Sequence, residues 1–183
     1  MNKIVIVING KAGVGKDTLC DFVIERYHAK KISSITPILK IAMDNGWDGT
    51  KDNKSRKFLS DLKRTFIDFN NLPYNYLIEE YKLFLQSDDD ILFVHIRESD
   101  QIQEFISSIK NSCVCATLLI SNINDGEPIV FGNDSDDCVD NFPYDFTYHN
   151  TEPIEQAEQD FLAFFQELLD AKKITPREKP DTK

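Results

Sequence analysis

Glycine and proline are scarce in this chain, seven of each among 183 residues, and cysteine is scarcer still at four. A collagen-like or low-complexity chain is thereby excluded, and a hydrophobic share of 41% is too high for disorder. Cys20, Cys113, Cys115 and Cys138 form no CxxC pair and stand at no His spacing suited to zinc. They read as thiols of a reducing compartment, not as a disulfide framework. Long apolar runs are missing as well. The run Ile4–Ile8 is five residues long and stops at Asn9-Gly10, too short for a membrane span or the core of a signal peptide. A cytoplasmic chain with no membrane partner is the expectation. Cations are missing from one stretch: between Glu98 and Ala171 only Lys110 is basic, against 16 Asp and Glu. Residues 1–97 instead carry 15 Lys and Arg against 13 acids, within a net charge of −10. An acidic second half repels a phosphate-rich duplex, and no basic stripe with interleaved aromatics serves single strands, so no nucleic-acid partner is expected. Anion chemistry belongs to the first half.

What is present is an alternation of apolar runs and helical periodicities. Residues 3–8 are continuously apolar, as in a parallel strand buried on both faces, and they lead into a glycine-rich turn. Leu19, Phe22, Val23 and Tyr27 then fall at helical spacing. A short strand over 31–36 follows, then a helix opened by Pro37 and reaching about residue 45. Phe58, Leu59, Leu62, Phe66 and Phe69 share one face of a cation-rich helix over 54–69, and another helix is expected over 74–86. A buried strand over 91–95, a helix marked by Ile102, Phe105, Ile106 and Ile109, and an apolar run over 114–121 restore the β-α order. About twenty polar residues come next, a length typical of a lid or binding loop. A final strand over 145–149 and an amphipathic helix with Phe161, Leu162, Phe165, Leu168 and Leu169 complete the pattern. From about Lys172 the cationic, proline-containing tail reads as a mobile end. The expectation is one α/β domain over 1–171, a five-stranded parallel sheet with helices on both faces.

Gly10-Lys11-Ala12-Gly13-Val14-Gly15-Lys16-Asp17-Thr18 matches the phosphate-loop pattern G-x-x-x-x-G-K-[ST] except at its last place, where Asp17 replaces the hydroxyl residue. Gly10, Gly13 and Gly15 let the backbone wrap so that successive N–H groups point at a phosphate, and the following helix adds its dipole. Lys16 reaches the β- and γ-phosphates as a point charge. ATP-binding is thus assigned to residues 10–18. A carboxylate at 17 suits Mg²⁺ but repels phosphate unless a metal or a proton intervenes. Asp17 is therefore a metal-ordering residue or a base for the acceptor, with Thr18 offering a hydroxyl.

The Gly-Lys-Asp-Thr ending, Pro37-x-x-Lys40 and Phe93-Val94-His95-Ile96-Arg97 resemble the P-loop kinases that include phage-type deoxynucleoside monophosphate kinases and animal-type phosphomevalonate kinases, a superfamily built like adenylate kinase. Asp136–Phe142 and Tyr144–Asn150 are similar to the late lid and final strand of the same group. The resemblance implies a three-layer P-loop sandwich, ATP and Mg²⁺, and phosphoryl transfer to a small phosphorylated acceptor. It places the acceptor region at about 37–87 and the lid at about 122–144.

Two departures stand out. The strand-end motif of that group reads Asp-x-Arg, but here His95 takes the place of the aspartate while Arg97 is kept. Neutral imidazole is a poor ligand for a hard cation, so His95 meets phosphate or acceptor, or simply packs. The lid also lacks the arginines that neutralise a transferring phosphoryl group. The cations must then be Lys16, Arg97 and those of the 54–64 segment, where Arg56 and Arg64 are candidates to fork onto an acceptor phosphate; Lys40 and Lys63 are weaker candidates. The leading expectation is a nucleoside monophosphate kinase, with Lys16, Asp17 and Arg97 as its catalytic groups. The alternatives are a kinase for a non-nucleotide metabolite such as phosphomevalonate, or a kinase-like ATP-binding module with little turnover.

Overall fold

The computed structural model describes residues 2–50, 52–122, 139, 142–151 and 153–180, without the side chains of 154 and 155. In chain order the elements are β1 (Ile4–Asn9), α1 (Lys16–Arg26), β2 (Ala29–Ser33), α2 (Thr36–Asp44), α3 (Asn53–Asn70), α4 (Leu72–Gln86), β3 (Ile91–His95), α5 (Ser99–Ile109), β4 (Val114–Ser121), β5 (Phe146–His149) and α6 (Ile154–Lys172). The strands form one wholly parallel sheet in the order β2-β3-β1-β4-β5.

β1 lies at the centre, and all six of its residues are buried. Because side chains alternate along a strand, its apolar run serves two cores at once. Ile4, Ile6 and Ile8 pack with Leu19 and Val23 of α1 and with Phe161, Phe165 and Leu168 of α6. Val5 and Val7 face Leu77, Tyr81 and Phe84 of α4 and Ile102, Phe105 and Ile109 of α5. Those two helix layers make the expected sandwich. In register, Ile8 stands beside His95 on β3 and Leu118 on β4, so the β1 and β3 strand ends meet at one edge.

Local signals set the helix ends. Asp52 caps α3 by accepting from the Ser55 N–H at 2.7 Å, and Asn71 closes it in the left-handed region (φ 52°) just before Leu72-Pro73 opens α4. The second strand starts two residues earlier than its apolar pattern suggests, since Ala29 already pairs with Ile91. Of the expected lid, 123–138 and 140–141 lie outside the described residues, as do Cys138 and most of the 136–142 motif.

The chain beyond α6 is not the loose end its composition suggests. Ile174 is buried, Glu178 forms an antiparallel bridge with Tyr27, and the Lys179 N–H donates to the Arg26 carbonyl at 2.8 Å. Arg177 donates to the Asp90 carboxylate from its backbone N–H and from Nε, at 2.8 and 2.9 Å. Asp90 is only 5% exposed, and a buried carboxylate requires such a partner, so a charged tail becomes ordered across the far edge of the sheet. Residues 181–183 lie outside the described residues.

Candidate active site

β1 delivers its chain directly into the loop Gly10–Gly15, and α1 begins at Lys16. Gly15 caps that helix at φ 89°, ψ 10°, a left-handed conformation that glycine adopts without steric cost. A Cβ on Gly15 would also stand 2.6 Å from Asn150 Nδ2, and one on Gly10 (φ 148°) would stand 2.3 Å from the Ile120 carbonyl oxygen. The loop is thus pressed against the end of β4 and the residue after β5. Its other side is open: a Cβ on Gly13 would meet nothing within 4 Å. An open, glycine-shaped backbone leading into a helix N-terminus can accommodate an anion.

Lys16 folds back over this loop, its Nζ donating to the carbonyls of Gly10 at 2.5 Å and Lys11 at 2.7 Å. Lys11, Ala12 and Val14 complete the turn, and the Val14 carbonyl accepts from Asn150 Nδ2 at 2.9 Å. The Oδ1 of Asn150 is buried and has no hydrogen-bond partner among the described residues.

Asp17 projects from the first turn of α1 with 80% of its side chain exposed. Its Oδ1 lies 3.8 Å from Lys31 Nζ and 4.0 Å from His95 Nε2, while Lys31 binds Asp21 more closely at 2.7 Å. No group of three His, Cys, Asp or Glu fit to hold a metal by itself occurs among the described residues. One exposed carboxylate, with Thr18 next to it in sequence, is a donor set of the kind Mg²⁺ uses, since that ion takes one or two carboxylates and completes its shell with phosphate oxygens and water.

His95 ends β3 with 15% of its side chain exposed and its Nε2 3.9 Å from Cys20 Sγ. Burial pushes its pKa down to about 4; Asp17 opposes that shift, and Lys16, Lys31 and Arg97 reinforce it. The ring is therefore neutral at neutral pH. Arg97 is exposed two residues further on, its carbonyl accepting from Asn9 Nδ2 at 3.1 Å.

The fold thus gathers residues 10–18, His95 and Arg97 at one edge of the sheet. Lys40 on α2 and Arg56 and Arg64 on α3 are exposed on the helices that follow β2. Lys63, in contrast, is buried against Glu98. Lys110 caps the C-terminal end of α5, immediately before β4 begins, and so lies at the opposite edge from the loop. Sequence reasoning did not single out Asn9, Lys31 or Glu98. A polar residue closing a buried strand was the one available signal for Asn9.

Neither family models nor curated proteins give a match to this sequence. Solved structures do. The tunicamycin resistance protein of Deinococcus radiodurans superposes with a TM-score of 0.56 at 14% identity, covering 97% of this chain and 99% of that one. A sugar kinase from Janibacter gives 0.49 at 12% identity (91% and 95% covered), and shikimate kinase from Bacteroides thetaiotaomicron 0.47 at 13% (92% and 98%). With its parallel five-stranded sheet flanked by helices, the chain shares the α/β fold of that tunicamycin resistance protein. Among its described residues, no helix is long and apolar enough to cross a membrane.

Proposed function

We propose that the chain is an ATP- and Mg²⁺-dependent kinase that transfers the γ-phosphoryl group to a small phosphorylated acceptor, a nucleoside monophosphate in the leading reading. One observation carries it: a glycine-shaped loop, open on one side and crossed by Lys16, that runs into the N-terminus of α1. Lys16 and the loop amides hold the phosphates, and Asp17 with Thr18 holds Mg²⁺. When bound, that ion neutralises charge on the phosphate oxygens. Arg97 balances charge on the transferring group, so the catalysis is positioning and electrostatics. Neutral His95 meets acceptor or phosphate by hydrogen bonding. Arg56, Arg64 and Lys40 offer the acceptor-side cations, and guanidinium forks match phosphate geometry. A non-nucleotide acceptor such as phosphomevalonate uses the same arrangement.

A neutral imidazole in place of a strand-end carboxylate favours a second reading, an ATP-binding module with little turnover. The test is ADP release from Mg·ATP across ribo- and deoxynucleoside monophosphates and phosphomevalonate, with Lys16→Ala as the blank. Release stimulated by one acceptor and absent from the blank supports the kinase. ATP binding without stimulation supports the module, and absence of ATP binding overturns both.

A further inference from the structure

Asn9, the last residue of β1, is 1% exposed, and both ends of its amide are engaged. Its Oδ1 accepts from the Gly10 N–H at 2.8 Å, while Nδ2 donates to the Arg97 carbonyl at 3.1 Å and to the Tyr144 hydroxyl at 2.8 Å. The hydroxyl hydrogen of Tyr144 is directed to the Val139 carbonyl at 3.0 Å. A phenol has one hydrogen, so once Val139 takes it the oxygen can only accept from Asn9. That direction agrees with, and adds a third tie to, the amide orientation that the Gly10 N–H and the Arg97 carbonyl require. The reverse orientation would set Nδ2 against the Gly10 N–H, donor to donor, and Oδ1 against the Arg97 carbonyl, acceptor to acceptor.

The position of this junction gives the direction its meaning. The β1–β3 ladder ends at Ile8 and His95, and the Asn9 side chain is the next tie between those strands. It turns the Gly10 N–H inward, and the Gly10 carbonyl is one of the two on which Lys16 rests. We propose that Tyr144, acting through Asn9, is a positioning residue that holds the first amide of the phosphate loop and the backbone of Arg97 in register. The consequence for nucleotide binding rests on the kinase reading; the relay itself does not.

Tyr144→Phe keeps the ring and its edge contact with Phe142 at 5.1 Å and deletes only the hydroxyl. Amide exchange at Gly10, followed by NMR in the nucleotide-free full chain with Val5 as an internal reference, reads the relay directly. In Tyr144→Phe, Gly10 exchange is expected to accelerate about three- to tenfold relative to Val5, the size of one hydrogen bond, and Mg·ATP affinity to fall by a similar factor. Asn9→Asp, whose carboxylate cannot donate to Arg97, is expected to show the larger effect. Unchanged Gly10 exchange in Tyr144→Phe overturns the relay. So does acceleration that merely keeps step with Val5, which marks a general loss of stability. If the wild-type chain binds no Mg·ATP while Gly10 still responds, the relay stands and the nucleotide reading fails. If Mg·ATP binds equally well to wild type and Tyr144→Phe, the positioning role is refuted.

Discussion

Lys63 on α3 and Glu98 before α5 form an ion pair in which one ammonium reaches both carboxylate oxygens, at 2.6 and 2.7 Å, with the Ser34 hydroxyl at 3.2 Å from the same nitrogen. The pair ties α3 to the residue that follows Arg97. Lys63 is only 9% exposed at its side chain and Glu98 20%, so removing one partner strands a charge in a poorly solvated place. Lys63→Met is expected to lose about 2–4 kcal/mol, and Lys63→Met with Glu98→Leu to recover most of it. Urea unfolding of both variants and Glu98→Leu closes the cycle. A double variant as unstable as Lys63→Met would rule out the stranded carboxylate as the cause.

The loop glycines make an ordered prediction. Gly13→Ala meets open space and suffers only the strain of its positive φ, about 1–2 kcal/mol. Gly10→Ala adds a collision with the Ile120 backbone, which cannot swing aside as a side chain could. Gly10→Ala is therefore expected to melt lower than Gly13→Ala and to bind Mg·ATP more weakly, as thermal melts and calorimetry would read. The reverse order would contradict the loop geometry.

Acid should weaken the chain through His95. Folded, it takes its proton only near pH 4, against an ordinary value of 6.5 in the unfolded chain. Between those values the unfolded state holds more protons, so stability rises with pH across the window and falls on acidification, levelling off below about pH 4. The full effect is on the order of 3 kcal/mol. His95→Asn should flatten this component, leaving Asp17, Lys16, Lys31 and Arg97 in place. Urea midpoints taken from pH 4 to 7 compare the two chains, and parallel profiles would count against a buried neutral ring.

At the other edge of the sheet, burial pushes the Asp90 carboxyl up, but the Arg177 hydrogen bonds and charge win and hold it below the usual carboxylate range. Its contribution is present above the unfolded carboxylate pKa and is lost as pH falls through the lower folded value. Arg177→Met is expected to lower the melting temperature at neutral pH and to shrink that acid dependence. If melting temperatures stay level, Arg177 is not a strap on Asp90.

The elements that the sequence made legible are those with local periodicity. An unbroken run such as Ile4–Ile8 has two buried faces, and the spacing of Ile102, Phe105, Ile106 and Ile109 has one. The loop was legible for a different reason: glycines at fixed spacing before a lysine answer a backbone requirement that no side chain relaxes. The tail misled because its prolines and charges read as solvated chain. Its partner Asp90 is 87 residues away and leaves no mark nearby.

By itself, then, the sequence determined the alternation of strands and helices, the glycine spacing of the loop before Lys16 and the shortage of cations between Glu98 and Ala171. Each follows from residue types and spacings within a few turns of chain. Only the tertiary structure decided that Asn9 reads Tyr144 across 135 residues, that Asn150 clasps Val14 across 136, and that Lys63 is spent on Glu98. Hydrogen bonds and ion pairs of that range depend on where the sheet order β2-β3-β1-β4-β5 brings strand ends together. An isolated polar residue carries no periodicity from which such a meeting could be read.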